Sequence, residues 1–320
     1  MTVKEKILDY LETNRGVYVS GEQLAGILEV SRTAVWKAIK TLQNEGFNIE
    51  AVTNKGYMLT EDTDVLTQNG VTSYLETERA RVEVYKSVTS TNLVVKDRAS
   101  EAEGLVIASM EQTGGMGRMG RSFSSPKDTG IYFSILLKPE IDNKEVTLLT
   151  SLAAVAVCEA IESCSDLKPA IKWVNDVFLN DKKVCGILTQ ASFSMENFAP
   201  EYVVVGIGIN VYSPREGFDK SIRDVAGSVF SEKQGDMKNR LLAKTLDRFF
   251  YYYDHFEDKS FVAEYKKRSL IIGKRVNVIK PNESRPATAI SIDDSCHLLV
   301  RYEDGAEELL STGEISVRPV

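Results

Sequence analysis

The sequence predicts an α+β chain of 320 residues in three domains. Residues 1–64 read as a winged helix-turn-helix, 65–270 as a mixed-sheet domain and 271–320 as a small all-β domain. Three observations carry this. Capped helical segments followed by a hairpin pattern open the chain. A glycine-rich polar loop, Glu111 to Phe123, separates two apolar strand-like segments in the middle. Period-two alternation runs through the end.

Composition sets the class. Hydrophobic content of 43% and charged content of 27% are ordinary for a globular protein, and the chain is long enough for two or three domains. A net charge of −7 argues against coating nucleic acid throughout and leaves room for one local DNA-binding module. The charged, amphipathic start, Met1 to Tyr10, does not read as a signal peptide. Leu148 to Ile161 is apolar but too short to span a bilayer, so a buried helix is expected. Cys158, Cys164, Cys185 and Cys296 form no CxxC pair and suit a reduced, cytoplasmic protein without membrane attachment. His255 and His297 stand alone, which disfavours a Ser-His-Asp triad and a histidine-rich zinc site.

In the N-terminal module, Val3, Ile7, Leu8 and Leu11 recur at helical spacing, and Asn14 to Gly16 ends that helix. Ser20 to Gln23 fits a capping box, and Ser31 caps a third helix running to about Glu45. That helix has a buried stripe of Ala34, Val35, Ala38, Ile39 and Leu42. Its other face carries Arg32, Thr33, Trp36, Lys37 and Lys40, with no acidic residue from Ser31 to Gln43. The first 60 residues hold seven basic and seven acidic side chains, so charge is segregated onto this helix. Such a helix suits a major groove. Phe47 to Leu59 reads as a hairpin wing with Lys55 at its tip, within reach of a phosphate. Ser31, Arg32, Thr33, Trp36, Lys37, Lys40 and Lys55 are the expected DNA contacts. A winged helix that binds only protein is the competing reading, and Asp62 to Asp64 reads as the linker.

In the central domain, Val82 to Val88 reads as a strand and Leu93 to Ala99 as a helix, with Ser90 or Thr91 as its cap. The loop after Val106 to Ser109 holds four glycines with Arg118 and Arg121. Such a backbone can close on an anion while the guanidinium groups meet phosphate or carboxylate. Its superficial matches to the dinucleotide fingerprint and the P-loop fail, because turn residues and a strand follow where both need a helix. The signature set of a protein kinase is absent as well. Beyond the strand Ile131 to Leu137, a helix is expected from about Lys144 to Cys164. A strand interrupted by polar residues is expected over Ile171 to Leu179, with a return strand from Lys183 to Gln190. Glu201 to Gly208 forms a further strand in which Gly206 and Gly208 let a ligand lie against the backbone, and Asn210 ends it.

Five stretches occur together and in order: Ser90 to Asn92, Gln112 to Arg121, Lys172 to Asp176, Lys183 to Leu188, and Gly206 to Asn210. With the winged helix before them, they resemble biotin protein ligases of the bifunctional ligase and biotin-operon repressor type, over essentially the whole chain. The resemblance implies a class II synthetase-like biotin/lipoate ligase domain and a C-terminal SH3-like β-barrel. It implies activation of biotin by ATP and Mg²⁺ to biotinyl-5′-adenylate, then transfer to a lysine of the biotin carrier domain of acetyl-CoA carboxylase or a similar carboxylase. It also implies operator DNA as a partner and dimerisation when the adenylate is bound.

Residue by residue, the resemblance places Arg118 and Lys183 at the carboxylate and α-phosphate, with Arg121 organising the loop. Ser90, Thr91, Asn92 and Gln112 would hold or line the ureido end of biotin. Gly115, Met116, Gly117, Gly186, Gly206 and Gly208 would complete the biotin pocket. Lys172, Asn175 and Asp176 would meet the nucleotide phosphate, with Asp176 at Mg²⁺, while Phe123 and Asn210 would stand near adenine. Two departures appear: Met116 replaces the first arginine of the usual Gly-Arg-Gly-Arg pattern, and Val174 replaces the proline of Lys-Trp-Pro-Asn-Asp. If that arginine acts through its backbone, Met116 is tolerable; if its guanidinium acts, the adenylate escapes faster. A biotin-sensing transcription factor without catalysis and a lipoate ligase are the alternatives. The four alternating segments between Arg275 and Leu310 build the C-terminal domain, with turns at Asp293 to Ser295 and Glu303 to Gly305.

Overall fold

Three hydroxyl side chains start the first three helices. Thr2, Ser20 and Ser31 accept from the backbone N–H three residues on, and Glu5 and Gln23 complete capping boxes at the first two. The structure, a computed structural model, describes residues 1–194, 196, 199–280 and 283–311, and the backbone of 316–319. Helices α1 (Val3–Thr13), α2 (Gly21–Ile27) and α3 (Arg32–Asn44) precede an antiparallel hairpin, β1 (Ile49–Val52) and β2 (Gly56–Leu59). Ile7, Leu11, Leu24, Val35, Ile39, Leu42 and Leu59 close one core among them. Ala34, expected in the buried stripe, is only half-buried.

By contacts the chain divides into two units, Met1–Tyr74 with Glu232–Arg240 and Leu75–Ser231 with Leu241–Val320. The first unit thus reaches past the boundary expected at residue 64, and the segment read as a linker is buried at Thr63 and Asp64. The reason is a polar cluster that sequence spacing cannot show. Lys238 N–H donates to Asp64 (2.8 Å), Thr67 N–H to Asn239 (2.9 Å), and Arg15 pairs with Asp236 (3.1 Å). A short helix, α4 (Gln68–Tyr74), follows.

In the second unit a seven-stranded mixed sheet has the order β3-β4-β5-β9-β8-β7-β6. Its members are β3 (Arg81–Tyr85), β4 (Leu105–Ser109), β5 (Gly130–Leu137), β6 (Ala170–Lys172), β7 (Asp176–Leu179), β8 (Lys182–Phe193) and β9 (Pro200–Asn210). Only β3 and β4 run parallel; α5 (Thr91–Asp97) lies between them in sequence. Alternation along β8 sends Gln190 to Asn92 of α5 and Thr189 to Thr150 of α6 (Leu148–Cys164), so the two helices cover opposite faces. Helix α6 starts four residues later than expected because Asn143–Glu145 forms a separate 3₁₀ turn capped by Asp142. The stretch Asn143–Cys164 is apolar enough to cross a membrane, but 78% of its apolar window is buried inside the protein.

The strand expected over 171–179 is instead a hairpin: β6 and β7 run antiparallel, with Lys172 opposite Asp176. Trp173, Val174 and Asn175 turn the chain, and the Trp173–Val174 peptide is cis. The next turn is as expected. Asn180 and Asp181 both take positive φ (48° and 61°), as a two-residue hairpin requires, and bring β8 back beside β7. Helix α7 (Met237–Asp254) is followed by α8 (Ser260–Lys267), which packs on α6. The chain ends in a five-stranded antiparallel sheet ordered β13-β12-β11-β10-β14. Its strands are β10 (Arg275–Lys280), β11 (Glu283–Ile292), β12 (Leu298–Tyr302), β13 (Glu307–Leu310) and β14 (Ser316–Pro319).

Burial pushes the Glu12 carboxyl up to about 7 and that of Asp236 up to about 6, against the opposing effects of Thr67 and Arg15 respectively. A carboxyl whose folded value is raised binds its proton more tightly when folded, so this contribution to stability falls as pH rises from about 4 to 7. Glu12→Gln is therefore expected to stabilise the N-terminal unit by roughly 1–3 kcal/mol at pH 8, with the gain shrinking as pH falls towards 5. Calorimetric unfolding across that range measures it; a gain independent of pH would contradict the assignment.

Candidate functional site

The N-terminus of α5 sits over the centre of the sheet. Ser90 is its cap position, yet its side chain makes no capping bond, and Ser90, Thr91 and Asn92 are all buried. Thr91 and Asn92 enter a side-chain network. Gln112 Oε1 accepts from Thr91 N–H (2.9 Å), and Gln112 Nε2 donates to Ser125 Oγ (2.9 Å). Ser134 Oγ lies 2.7 Å from Thr91 Oγ1 and donates to Asn92 Oδ1 (2.6 Å), while Asn92 Nδ2 donates to Gln190 (3.0 Å). Buried polar groups of this density need mutual satisfaction, which fixes each side chain in one orientation.

Glycines make the floor. A Cβ on Gly206 would stand 2.0 Å from Asn92 Oδ1, and one on Gly208 would stand 2.4 Å from the Phe123 ring. Gly186 admits the other edge of that ring, at 2.9 Å from its own missing Cβ. The ring also meets Tyr132 edge-on and has Lys183 Nζ 6.0 Å from its centroid. The glycines therefore make room for Asn92 and Phe123. The cavity beside them measures about 50 Å³, room for roughly three to five waters at ~10–15 Å³ each.

At the mouth the charged groups converge. Lys183 Nζ pairs with Asp176 Oδ1 at 2.6 Å, and Arg118 Nη1 donates to Asn175 Oδ1 at 3.3 Å. Burial pulls Arg118 below the usual guanidinium value, with Asp176 opposing, and a guanidinium so placed stays charged. A second cavity of about 140 Å³ adjoins, lined by Arg118, Arg121, Lys172, Asn175, Asp176 and Lys183. Lys172 Nζ lies 5.4 Å from the Phe178 ring centroid. Among the described residues no three His, Cys, Asp or Glu side chains form a metal cluster. A lone Asp176 carboxylate fits Mg²⁺ only where phosphate oxygens supply further ligands.

In the N-terminal unit, Arg32, Thr33, Trp36, Lys37 and Lys40 are exposed along α3, and Trp36 is 51% exposed. A cavity of about 710 Å³ lies between Ser20, Arg32, Trp36, Asn54 and Tyr57. Lys55 at the hairpin tip lies 5.4 Å from the Tyr18 ring centroid. Ser31 Oγ accepts the capping bond from Ala34 N–H (3.1 Å), leaving its hydroxyl proton free.

Residues 84–210 match the biotin/lipoate A/B protein ligase family, 3–58 a helix-turn-helix domain and 271–318 the biotin protein ligase C-terminal domain. Along the whole length, the chain is 31% identical to the bifunctional ligase/repressor BirA of Bacillus spizizenii, covering 97% of each protein. The chain belongs to the bifunctional ligase/repressor family. It is 28% identical to the Escherichia coli member of that name, over 99% of this chain and 98% of the relative. Among solved structures, the biotin protein ligase of Aquifex aeolicus in complex with biotin and ATP superposes with a TM-score of 0.65 at 27% identity, over 75% of this chain and 99% of that one.

Against the ligase motifs of that family, most expected residues meet at the two cavities, and two, Gly115 and Asn210, line neither. Gly115 lies behind the lining, where its carbonyl accepts from Phe123 N–H (2.9 Å) and a Cβ would strike Phe123 O at 2.4 Å. Asn210 lines neither cavity; its side chain donates to Gly227 O (3.0 Å). Phe123, expected near adenine, packs on the glycine floor and lines both cavities. Met116 reaches Ser122 through a backbone bridge. The sequence reading missed Ser134, Ser125 and Gln190. Ser134 carried a signal, being the one serine within the largely apolar strand Gly130–Leu137.

Gly206→Ala is expected to displace Asn92 and break the network, costing ~1–3 kcal/mol of stability by overpacking. Biotin affinity should fall at least about tenfold in the same variant. Thermal unfolding and a biotin titration read the two effects; unchanged affinity would disconnect this network from ligand binding.

Proposed function

We propose that this chain attaches biotin to a lysine of a biotin carrier domain in two ATP-dependent steps, and represses transcription through its winged helix. The observation that carries the ligase reading is the polarity of one site. Hydrogen-bonding groups of Thr91, Asn92 and Gln112 lie at its inner end, a glycine floor in its middle, and Arg118 and Lys183 at its mouth. That order suits a ureido group, an apolar bicycle and a carboxylate.

In the first step a biotin carboxylate oxygen attacks the α-phosphate of ATP, and pyrophosphate leaves. Two anions must approach each other, so Arg118 and Lys183 offset the repulsion and stabilise charge developing on the phosphoryl oxygens. Lys183 exchanges its bond to Asp176 for one to the substrate anion. Asp176 and Asn175 face the nucleotide phosphate, and Asp176 would contribute one ligand to Mg²⁺, which supplies further charge neutralisation when bound. Arg121 and Lys172 extend the cationic wall. In the second step the neutral acceptor amine attacks the acyl carbon, AMP leaves, and the amine gives up a proton. Positioning and charge suffice for both steps, with no nucleophile from the protein.

Arg32, Thr33, Trp36, Lys37 and Lys40 read the operator and Lys55 meets phosphate. Adenylate binding favours a homodimer through ordering of the Gly115 to Ser122 loop, in which Met116 acts through its backbone. Free thiols at Cys158, Cys164, Cys185 and Cys296 suit the cytoplasm.

Incubation with ATP, Mg²⁺, biotin and a carrier domain should give biotinylated carrier, and lipoate in place of biotin should give none. Arg118→Ala should slow biotin-dependent pyrophosphate exchange by about 10²-fold or more. Absence of product from the unmodified protein would sink the ligase reading.

Operator binding, followed by fluorescence anisotropy, should tighten with biotin and ATP. Arg32→Ala and Lys40→Ala should each weaken it and lower the slope of log affinity against log salt by about 1. Slopes that do not change would remove these residues from the DNA interface.

A further inference from the structure

The turn that carries Asn175 and Asp176 is held from behind by two buried hydrogen bonds to residues outside the ligase motifs, Tyr265 and Cys296. Tyr265 of α8 is fully buried, and its hydroxyl donates to Val174 O at 3.0 Å. Trp173 is 5% exposed, and its indole N–H donates to Cys296 O at 2.9 Å. Burial holds the Tyr265 phenol well above its ordinary value, so it remains a donor.

Cys296 belongs to the turn between β11 and β12, and its carbonyl is aimed by Asp293. Asp293 Oδ1 accepts from Ser295 N–H and His297 N–H, each at 2.8 Å, while Cys296 itself takes a positive φ of 57°. A third support comes from the front. Ile187 N–H donates to Asn175 O (3.0 Å), and Asn175 Nδ2 donates to Ile187 O (2.9 Å). Three successive residues are thus anchored to three different elements: Trp173 to the C-terminal sheet, Val174 to α8 and Asn175 to β8. A core position needs no hydroxyl, and a buried one must find a partner. The partner here is the peptide immediately before Asn175.

We propose that Tyr265 and Trp173 are positioning residues for the nucleotide step, fixing the Trp173–Asp176 turn so that Asn175 and Asp176 meet Arg118 and Lys183. This rests on the reading that the turn faces the nucleotide phosphate. The C-terminal sheet then acts on catalysis through one carbonyl, that of Cys296, rather than by contact with the reacting atoms.

Tyr265→Phe and Trp173→Phe, each in the full chain, test this beside Asp176→Asn. Biotin-dependent pyrophosphate exchange should show kcat lowered roughly 10- to 100-fold and KM for ATP raised, as small misplacements of charged groups produce. Biotin Kd from a direct titration should stay within about twofold, because the network around Gln112 is untouched. A merely structural role would lower Tm and leave kcat of the folded fraction unchanged, and that result overturns the proposal. Should Tyr265→Phe fail to fold, Asp293→Ala, which loosens the turn presenting Cys296 O, carries the same expectation. If Asp176→Asn leaves exchange unaltered, the reading of the turn itself is wrong. If Asp176→Asn slows exchange and the positioning variants do not, only the positioning proposal fails.

Discussion

The short length of β7 constrains everything around the site. It pairs with β8 only from Lys182 to Gly186, so the edge of β8 beyond that point needs other partners. Asn175 supplies them at Ile187 through both its backbone and its side chain. Unpaired strand edges are costly inside a protein; here the Asn175 backbone carbonyl takes the Ile187 N–H while the side-chain amide donates to the Ile187 carbonyl. That requirement fixes Asn175, and its remaining oxygen then accepts from Arg118. Asp176, one residue on, opens β7 and points its carboxylate at Lys183 on the neighbouring strand. A gap in a sheet ladder thereby becomes the place where two cations and a carboxylate converge.

The two ends of the site are built by different physics. The inner end relies on satisfaction of buried hydroxyl and amide groups, where losing one partner leaves several others unpaired. The mouth relies on partly exposed charges, where solvent screening keeps each resting pair weak and exchangeable. The first arrangement suits recognition of a neutral hydrogen-bonding group with high selectivity. The second suits groups that must change partners during a reaction.

Much of this was legible in the sequence because it is local. Ser20 and Ser31 cap the helices they precede, and Asn180-Asp181 turns the hairpin as its residue types dictate. The glycine loop announced a site by residue type alone, and the Lys172 to Asp176 stretch did so through its family resemblance. What stayed hidden depends on distant partners. Asp64 reads as linker until Lys238 is seen beside it, and 171–179 reads as one strand until Tyr265 and Cys296 are found holding its middle. Nothing in the sequence around Phe123 reveals that its ring packs on Gly186 and Gly208. Glycines announce that something approaches the backbone; they do not say what.

That last ambiguity has a practical side. Gly186 and Gly208 face the two edges of one phenyl ring, so the slot between Asn92 and Lys183 has the thickness and outline of an aromatic side chain. The Phe123 ring fills that slot beside the cavity, so a ligand that reaches the slot must displace the ring. Small molecules that combine a phenyl ring with a urea-like head for Thr91 and Gln112 match the slot in both shape and hydrogen bonding.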